Sequence, residues 1–135
     1  MSSILVDTTV WIDAINGKRT WQVTLLEQLI EVDKVVICPI IIQEILQGIR
    51  LDNDFKQIKE NLTGFKVLSL DPIEAAVDSA SLYRKIRKQG VTIRKSNDCL
   101  IATYAISHRI SLLHNDADFT KISQYSELMV LEREQ

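Results

Sequence analysis

The sequence predicts an α/β fold built on a central, mainly parallel sheet of about five strands, and three observations predict it. Short apolar runs alternate with stretches of helical periodicity along the whole chain, the pattern that winds helices around a parallel sheet. The runs themselves, Ile4-Leu5-Val6 and Val35-Val36-Ile37-Cys38 foremost, are continuous rather than alternating, as strands covered on both faces must be. Carboxylates stand just past the ends of such runs, at the edge where open α/β sheets hold their ligands.

The 135 residues suffice for one domain, 1–135, with a core that needs no staples. At 46% hydrophobic and 25% charged residues, the composition is that of a soluble globular protein and sets aside disordered and fibrous classes. The N-terminus shows no basic n-region and no apolar run long enough to span a bilayer, so the expected location is cytoplasmic. Cys38 and Cys99 lack metal-ligand spacing and read as reduced core thiols. A net charge of −2 gives no overall attraction for nucleic acid, yet six of the sixteen basic residues fall between Arg84 and Lys95.

Taken in order, Ile4 to Thr9 is expected as the first strand, delivering Asp7, Thr8 and Thr9 at its far end. Val10 to Ile15 is a short helix stopped at Asn16-Gly17, with Thr8 or Thr9 as its cap; Asp7 stands at the corner, either as a rim carboxylate or as a turn and capping residue. Thr20 caps a second helix in which Trp21, Leu25, Leu26, Leu29 and Ile30 share a stripe. Val35 to Cys38 is the second strand, and Pro39 opens a third helix with Ile41, Ile42, Ile45, Leu46 and Ile49 on one face and Glu44 at its margin. Asp52 to Leu62 is a further helix and Phe65 to Leu68 a short strand. Asp71-Pro72-Ile73-Glu74 combines a cap, a proline at the first helical position and an acid three residues on, a clear helix start. That helix runs towards Gly90. Its second half holds Arg84, Lys85, Arg87 and Lys88, and the following loop adds Arg94 and Lys95. Ser96 or Asn97 caps the next helix and puts Asp98 in its first turn, with Ala102 and Ala105 continuing the same close-packing face. Ile110 to Leu113 is the fourth strand, running into His114-Asn115-Asp116-Ala117-Asp118-Phe119, and Leu128 to Leu131 is the fifth.

Strand ends of a parallel sheet converge on one rim, which brings Asp7, Glu44, Asp98 and Asp116 within reach of each other. Two bare carboxylates about 4 Å apart repel by roughly 4 kcal/mol at an effective dielectric near 20, so the cluster must be protonated, separated or neutralised by a cation. Oxygen ligands with few imidazoles suit Mg²⁺ or Mn²⁺ better than Zn²⁺. Such ions serve phosphoryl chemistry, and phosphodiester hydrolysis is the natural expectation.

These residues resemble the PIN-domain family and, within it, the VapC toxins of prokaryotic toxin-antitoxin pairs. The resemblance spans nearly the whole chain and rests on Val6 to Asp13, Glu44 within Ile42 to Gly48, Asp98 within Asn97 to Ala102, and Asn115 to Phe119. It implies a PIN-like three-layer α/β/α fold and a metal-dependent endoribonuclease that cuts tRNA or ribosomal RNA to inhibit translation. Asp7, Glu44, Asp98 and Asp116 would be the quartet that holds Mg²⁺ or Mn²⁺ and positions the attacking water. Asp118 would be an auxiliary acid or the cap of a helix beginning near Phe119. Thr9 would orient Asp7 or a water, or cap the helix. Many family members carry Thr or Ser where this chain has His114, which is then a strand-end side chain or a donor beside the acids. The resemblance further implies a VapB-like antitoxin partner and a toxin homodimer.

For RNA contact the candidates are Arg84, Lys85, Arg87, Lys88, Arg94 and Lys95, with a solvated helix face as the plainer reading. Competing functions fit less well. A phosphoacceptor receiver needs an aspartate ending an internal strand, and Val35 to Pro39 supplies none. A Mg²⁺-dependent phosphatase of the aspartyl-phosphate type needs a second aspartate two residues after Asp7, where Thr9 stands. A metal-free RNA- or protein-binding module would not need acids at all four positions.

Overall fold

A computed structural model describes residues 2–134; Met1 and Gln135, the ends of the expected 1–135 domain, lie outside the described residues. The elements follow in the order β1 (Ile4–Val6), α1 (Thr8–Ile15), α2 (Trp21–Glu31), β2 (Val35–Ile37), α3 (Pro39–Gln47), α4 (Asp52–Thr63), β3 (Lys66–Val67), α5 (Pro72–Lys88), α6 (Asn97–His108), β4 (Ser111–Leu113) and α7 (Ala117–Gln124). The four strands are parallel in the order β3-β2-β1-β4, with Leu5 opposite both Val36 and Leu112. β1 and β2 are apolar and buried throughout, as the continuous runs require.

The fifth strand is the main correction to the expected architecture. Leu128 to Leu131 reaches β4 through one bridge, Leu112 to Val130, made by Leu112 N–H to Met129 O and Leu131 N–H to Leu112 O, both 2.9 Å. In a parallel ladder alternate residues turn their polar groups to opposite edges, and three-residue β4 spends its other residues on β1. The next outward positions are engaged elsewhere, Ile110 N–H on Ala105 O and His114 O on the Gln22 side-chain amide, so the ladder stops at Leu112.

Three smaller corrections have local causes. The first strand ends at Val6 and α1 begins at Thr8, because Asp7 rather than Thr8 or Thr9 takes the N-cap and its side chain accepts from Thr9 N. The cap of α7 is likewise Asp116, accepting from Asp118 N, so Asp118 lies within the first turn and caps nothing. On α2 the buried face is Gln22, Val23, Leu26 and Leu29, while Ile30 is exposed. The Asp71-Pro72 start of α5 is as expected, with Asp71 Oδ1 accepting the Ile73 and Glu74 amides at 3.0 Å.

The core joins the sheet to α6, in which Cys99, Ile101, Ala102, Thr103, Tyr104 and Ala105 are all buried. Small Ala102 and Ala105 let this helix pack against β4, α3, α5 and α7. The packing fixes the height of Asp98, in the first turn of the helix. Cys38 and Cys99 are buried free thiols, and burial pushes Cys38 up to about 12, so it is an inert core group. No helix among the described residues is long and apolar enough to cross a membrane.

Candidate metal centre

Three strand-to-helix passages deliver Asp7, Glu44 and the pair Asp116 and Asp118, whereas Asp98 comes from the start of α6, which follows α5 and the loop after it. Asp7 follows β1, and its Oδ2 accepts the Thr9 amide at 3.0 Å and the Thr9 hydroxyl at 2.6 Å. It is therefore both the capping residue and a rim carboxylate, the two roles the sequence left open. Burial, reinforced by the charge of Glu44, pushes its carboxyl up to about 6 despite the Thr9 bonds. The Thr9 hydroxyl also accepts the Asn115 amide at 3.0 Å and so ties the β1 corner to the loop after β4. Glu44, half-buried in the second turn of α3, accepts the Thr8 hydroxyl at 2.6 Å.

Asp98 is the least satisfied of the acids. It is only 3% exposed, and its Oδ2 is buried without a hydrogen-bond partner. Burial and then the charge of Asp7 push it up to about 7, with Lys95 pulling the other way. A bare carboxylate oxygen in such a place costs free energy unless it is protonated or takes a cation.

Asp116 and Asp118 complete the rim. Asp116 donates its amide to His114 Nδ1 at 3.1 Å, which fixes that ring nitrogen as an acceptor and places the imidazole proton on Nε2. Burial pushes the His114 ring below its ordinary 6.5. The side chain of Asp118 is 1% exposed; its Oδ2 accepts the Arg94 amide at 3.1 Å and Arg94 Nε at 3.2 Å, and Lys121 Nζ lies 3.4 Å from Oδ1. Burial opposes its charge, but the Arg94 contacts outweigh burial and hold the carboxyl below 3.8.

Carboxylate oxygens of Asp98, Asp116 and Asp118 lie within 4.8 Å of one another, the one such trio of metal-ligating groups among the described residues. The four acids read from the sequence are also gathered, though less tightly. Asp7, Glu44 and Asp98 line a cleft of about 350 Å³ together with Lys18, Lys95 and Asn115, and Asp116 meets that cleft through Lys95, whose Nζ is 3.4 Å from its Oδ2. The tightest cluster thus contains Asp118, which the sequence placed only as auxiliary. An all-oxygen donor set around one unpartnered buried oxygen fits a hard divalent cation.

The basic run divides in two. Arg84, Lys85, Arg87 and Lys88 are exposed on α5 and make no ion pair among the described residues; Arg87 lies 5.6 Å over the Tyr83 ring. Arg94 contacts Asp116 and Asp118, and Lys95 contacts Asp116. Their role as counter-ions had no local signal, because the partners lie more than twenty residues away. Thr8 as the partner of Glu44 was equally hidden, and so was the link from Asn115 Nδ2 to Asp13 at 3.0 Å.

Comparison with known proteins adds a family to this geometry. The sequence model described as PIN domain matches residues 4–125. VapC ribonuclease Mb1587 of Mycobacterium bovis is 32% identical over 127 residues, covering 93% of this chain and 95% of its own length; Ribonuclease VapC11 of Mycobacterium tuberculosis matches equally. Among solved structures, VapBC of Salmonella typhimurium bound to DNA superposes with a TM-score of 0.76 at 18% identity, covering 97% of this chain and 98% of the other. VapBC2 of Rickettsia felis, bound to a fragment of its promoter DNA, gives 0.75 at 18% identity with the same coverage.

Proposed function

This chain belongs to the PIN-domain family and to its VapC branch, and from that premise we propose that it is an endoribonuclease dependent on Mg²⁺ or Mn²⁺, the toxin of a VapBC-type pair. It hydrolyses phosphodiester bonds in structured RNA, tRNA or ribosomal RNA, and so inhibits translation. The observation that carries the reading is the bare, buried Oδ2 of Asp98 beside Asp116 and Asp118. A site built only for stability would have given that oxygen a donor.

Asp7, Glu44, Asp98 and Asp116 hold the cation and position the attacking water. When bound, the ion lowers the charge on the phosphate and eases loss of the water proton. Thr8 and Thr9 hold Glu44 and Asp7 in place, each occupying one carboxylate oxygen so that the acid cannot rotate freely. Asp118 is the auxiliary acid, a positioning residue whose Oδ2 anchors the Arg94 amide and Nε and whose Oδ1 accepts from Lys121. The VapBC complexes that share this fold support a VapB-like antitoxin as partner, and a toxin homodimer is part of the same proposal. RNA cleavage tests the activity. Purified protein with Mg²⁺ or Mn²⁺ is expected to cut tRNA or ribosomal RNA at discrete sites and to stop when chelator is added; cleavage that persists in chelator would refute the metal-dependent mechanism.

Arg84, Lys85, Arg87 and Lys88 supply phosphate contacts outside the cleft. They make no ion pair among the described residues, so they are available to displace counter-ions from RNA. In the variant combining Arg84→Gln with Lys88→Gln, RNA affinity is expected to fall by about tenfold at low salt and its dependence on log salt to flatten by about one to two. An unchanged salt slope would leave these residues as a solvated helix face.

A further inference from the structure

Arg94 is held by two separate grips. Its amide and Nε both donate to Asp118 Oδ2, at 3.1 and 3.2 Å, while Nη2 alone reaches Asp116 Oδ1 at 3.0 Å. The first grip is seated in a carboxylate 1% exposed, whereas the Arg94 side chain itself is 66% exposed. Lys95 Nζ, 53% exposed, takes the other oxygen of Asp116 at 3.4 Å. Asp116 Oδ1 also accepts the Asp118 amide at 3.0 Å, so both acceptor positions of this oxygen are filled, and a metal ion can take it only by displacing the movable donor, Arg94 Nη2.

We propose that Arg94 is a displaceable counter-ion: entry of a divalent cation at Asp98 and Asp116 releases the Nη2 end from Asp116, and the guanidinium, still anchored on Asp118, presents that end to an RNA phosphate. The inference rests on the metal-dependent ribonuclease reading and adds to it the order in which charge is exchanged. A divalent ion supplies more charge to Asp116 than the guanidinium edge does and repels it at close range. The second grip explains why release does not send the side chain into solvent. A planar fork held at Nε keeps its outer edge oriented, and that edge matches the geometry of phosphate oxygens. A simple surface ion pair would need neither the buried anchor nor the backbone amide that joins it.

The decisive measurement is Mn²⁺ binding to the full chain by calorimetry, without RNA, for the wild type, Arg94→Gln and Lys121→Gln. Lys121 contacts Asp118 but not Asp116 and controls for the loss of one positive charge near the site. Arg94→Gln is expected to bind Mn²⁺ about threefold tighter than Lys121→Gln, because a competing contact has gone. In a Mg²⁺ titration of ¹⁵N-arginine-labelled protein, the Arg94 Nε–H signal is expected to stay in place while the Nη signals shift. For tRNA bound with Ca²⁺ in place of Mg²⁺ to slow cleavage, Arg94→Gln is expected to weaken affinity severalfold relative to wild type, and little with chelator. Mn²⁺ binding by Arg94→Gln that is weaker than, or equal to, that of Lys121→Gln would overturn the proposal and make Arg94 a fixed support of Asp116. A wild type that binds no Mn²⁺ at all would overturn the nuclease reading with it.

Discussion

Asp98→Asn is expected to lower RNA cleavage by about three orders of magnitude while making the metal-free protein more stable. The two effects have opposite signs because they come from the same oxygen. In the wild type, Oδ2 is buried, faces other carboxylates and has no hydrogen-bond partner, so at pH 8 the folded state holds a charge that the unfolded chain would leave in water. An amide of the same shape removes that charge and offers a donor to neighbouring acids, a gain of about 2 kcal/mol or more in chelator at pH 8. The same change removes a ligand from the cation, so the stabilisation that Mg²⁺ gives the wild type, about 2.7 kcal/mol at a hundredfold excess over Kd, largely disappears. Melting temperatures with chelator and with Mg²⁺, beside cleavage rates, check both halves. Cleavage within tenfold of wild type would remove Asp98 from the site. A lower melting temperature in chelator would show that its carboxylate is structural.

How much of this could be read from the chain depends on the range of the interaction. β1, β2 and the Asp71-Pro72 start of α5 were legible because apolar continuity and capping chemistry act over a few residues. The approach of Asp7, Glu44 and Asp116 to one rim follows from parallel topology, which sends every strand end there, whereas Asp98 reaches it from a helix that follows another helix. Competition between neighbours was less legible. Asp7 outcompetes Thr8 and Thr9 for the cap, and the first helix then starts two residues earlier than expected. Nor could an apolar run such as Leu128 to Leu131 show that β4 offers it only Leu112. The largest gap is Arg94. Its position in a basic run gave no hint of Asp116 and Asp118, contacts set by the docking of the loop before α6 against the start of α7. Charge clusters separated in sequence neutralise each other only in three dimensions.

Without metal, the protein is expected to lose stability as pH rises from about 4 to about 7. Asp7 and Asp98 ionise near 3.8 in an unfolded chain but at about 6 and about 7 when folded. Between those values the native state holds protons that the unfolded state has released, so the stability slope with pH is negative; the loss ends above about 7, where both states are ionised. For Asp98 alone the change is on the order of 3 kcal/mol. His114 acts in the opposite sense below 6.5, because its lowered folded pKa leaves the unfolded state with more bound protons there. The contribution of Asp98 is therefore isolated by subtraction, as the difference between wild type and Asp98→Asn in urea midpoints at pH 5.5, 7 and 8. That difference should favour the variant increasingly as pH rises. Mg²⁺ should turn the wild-type trend around, because ligation needs the deprotonated carboxylates and its added stability grows over the same interval. A difference that stays constant with pH would mean that Asp98 is ionised throughout, and the unpartnered oxygen would then have to be satisfied by something other than a proton or a metal ion.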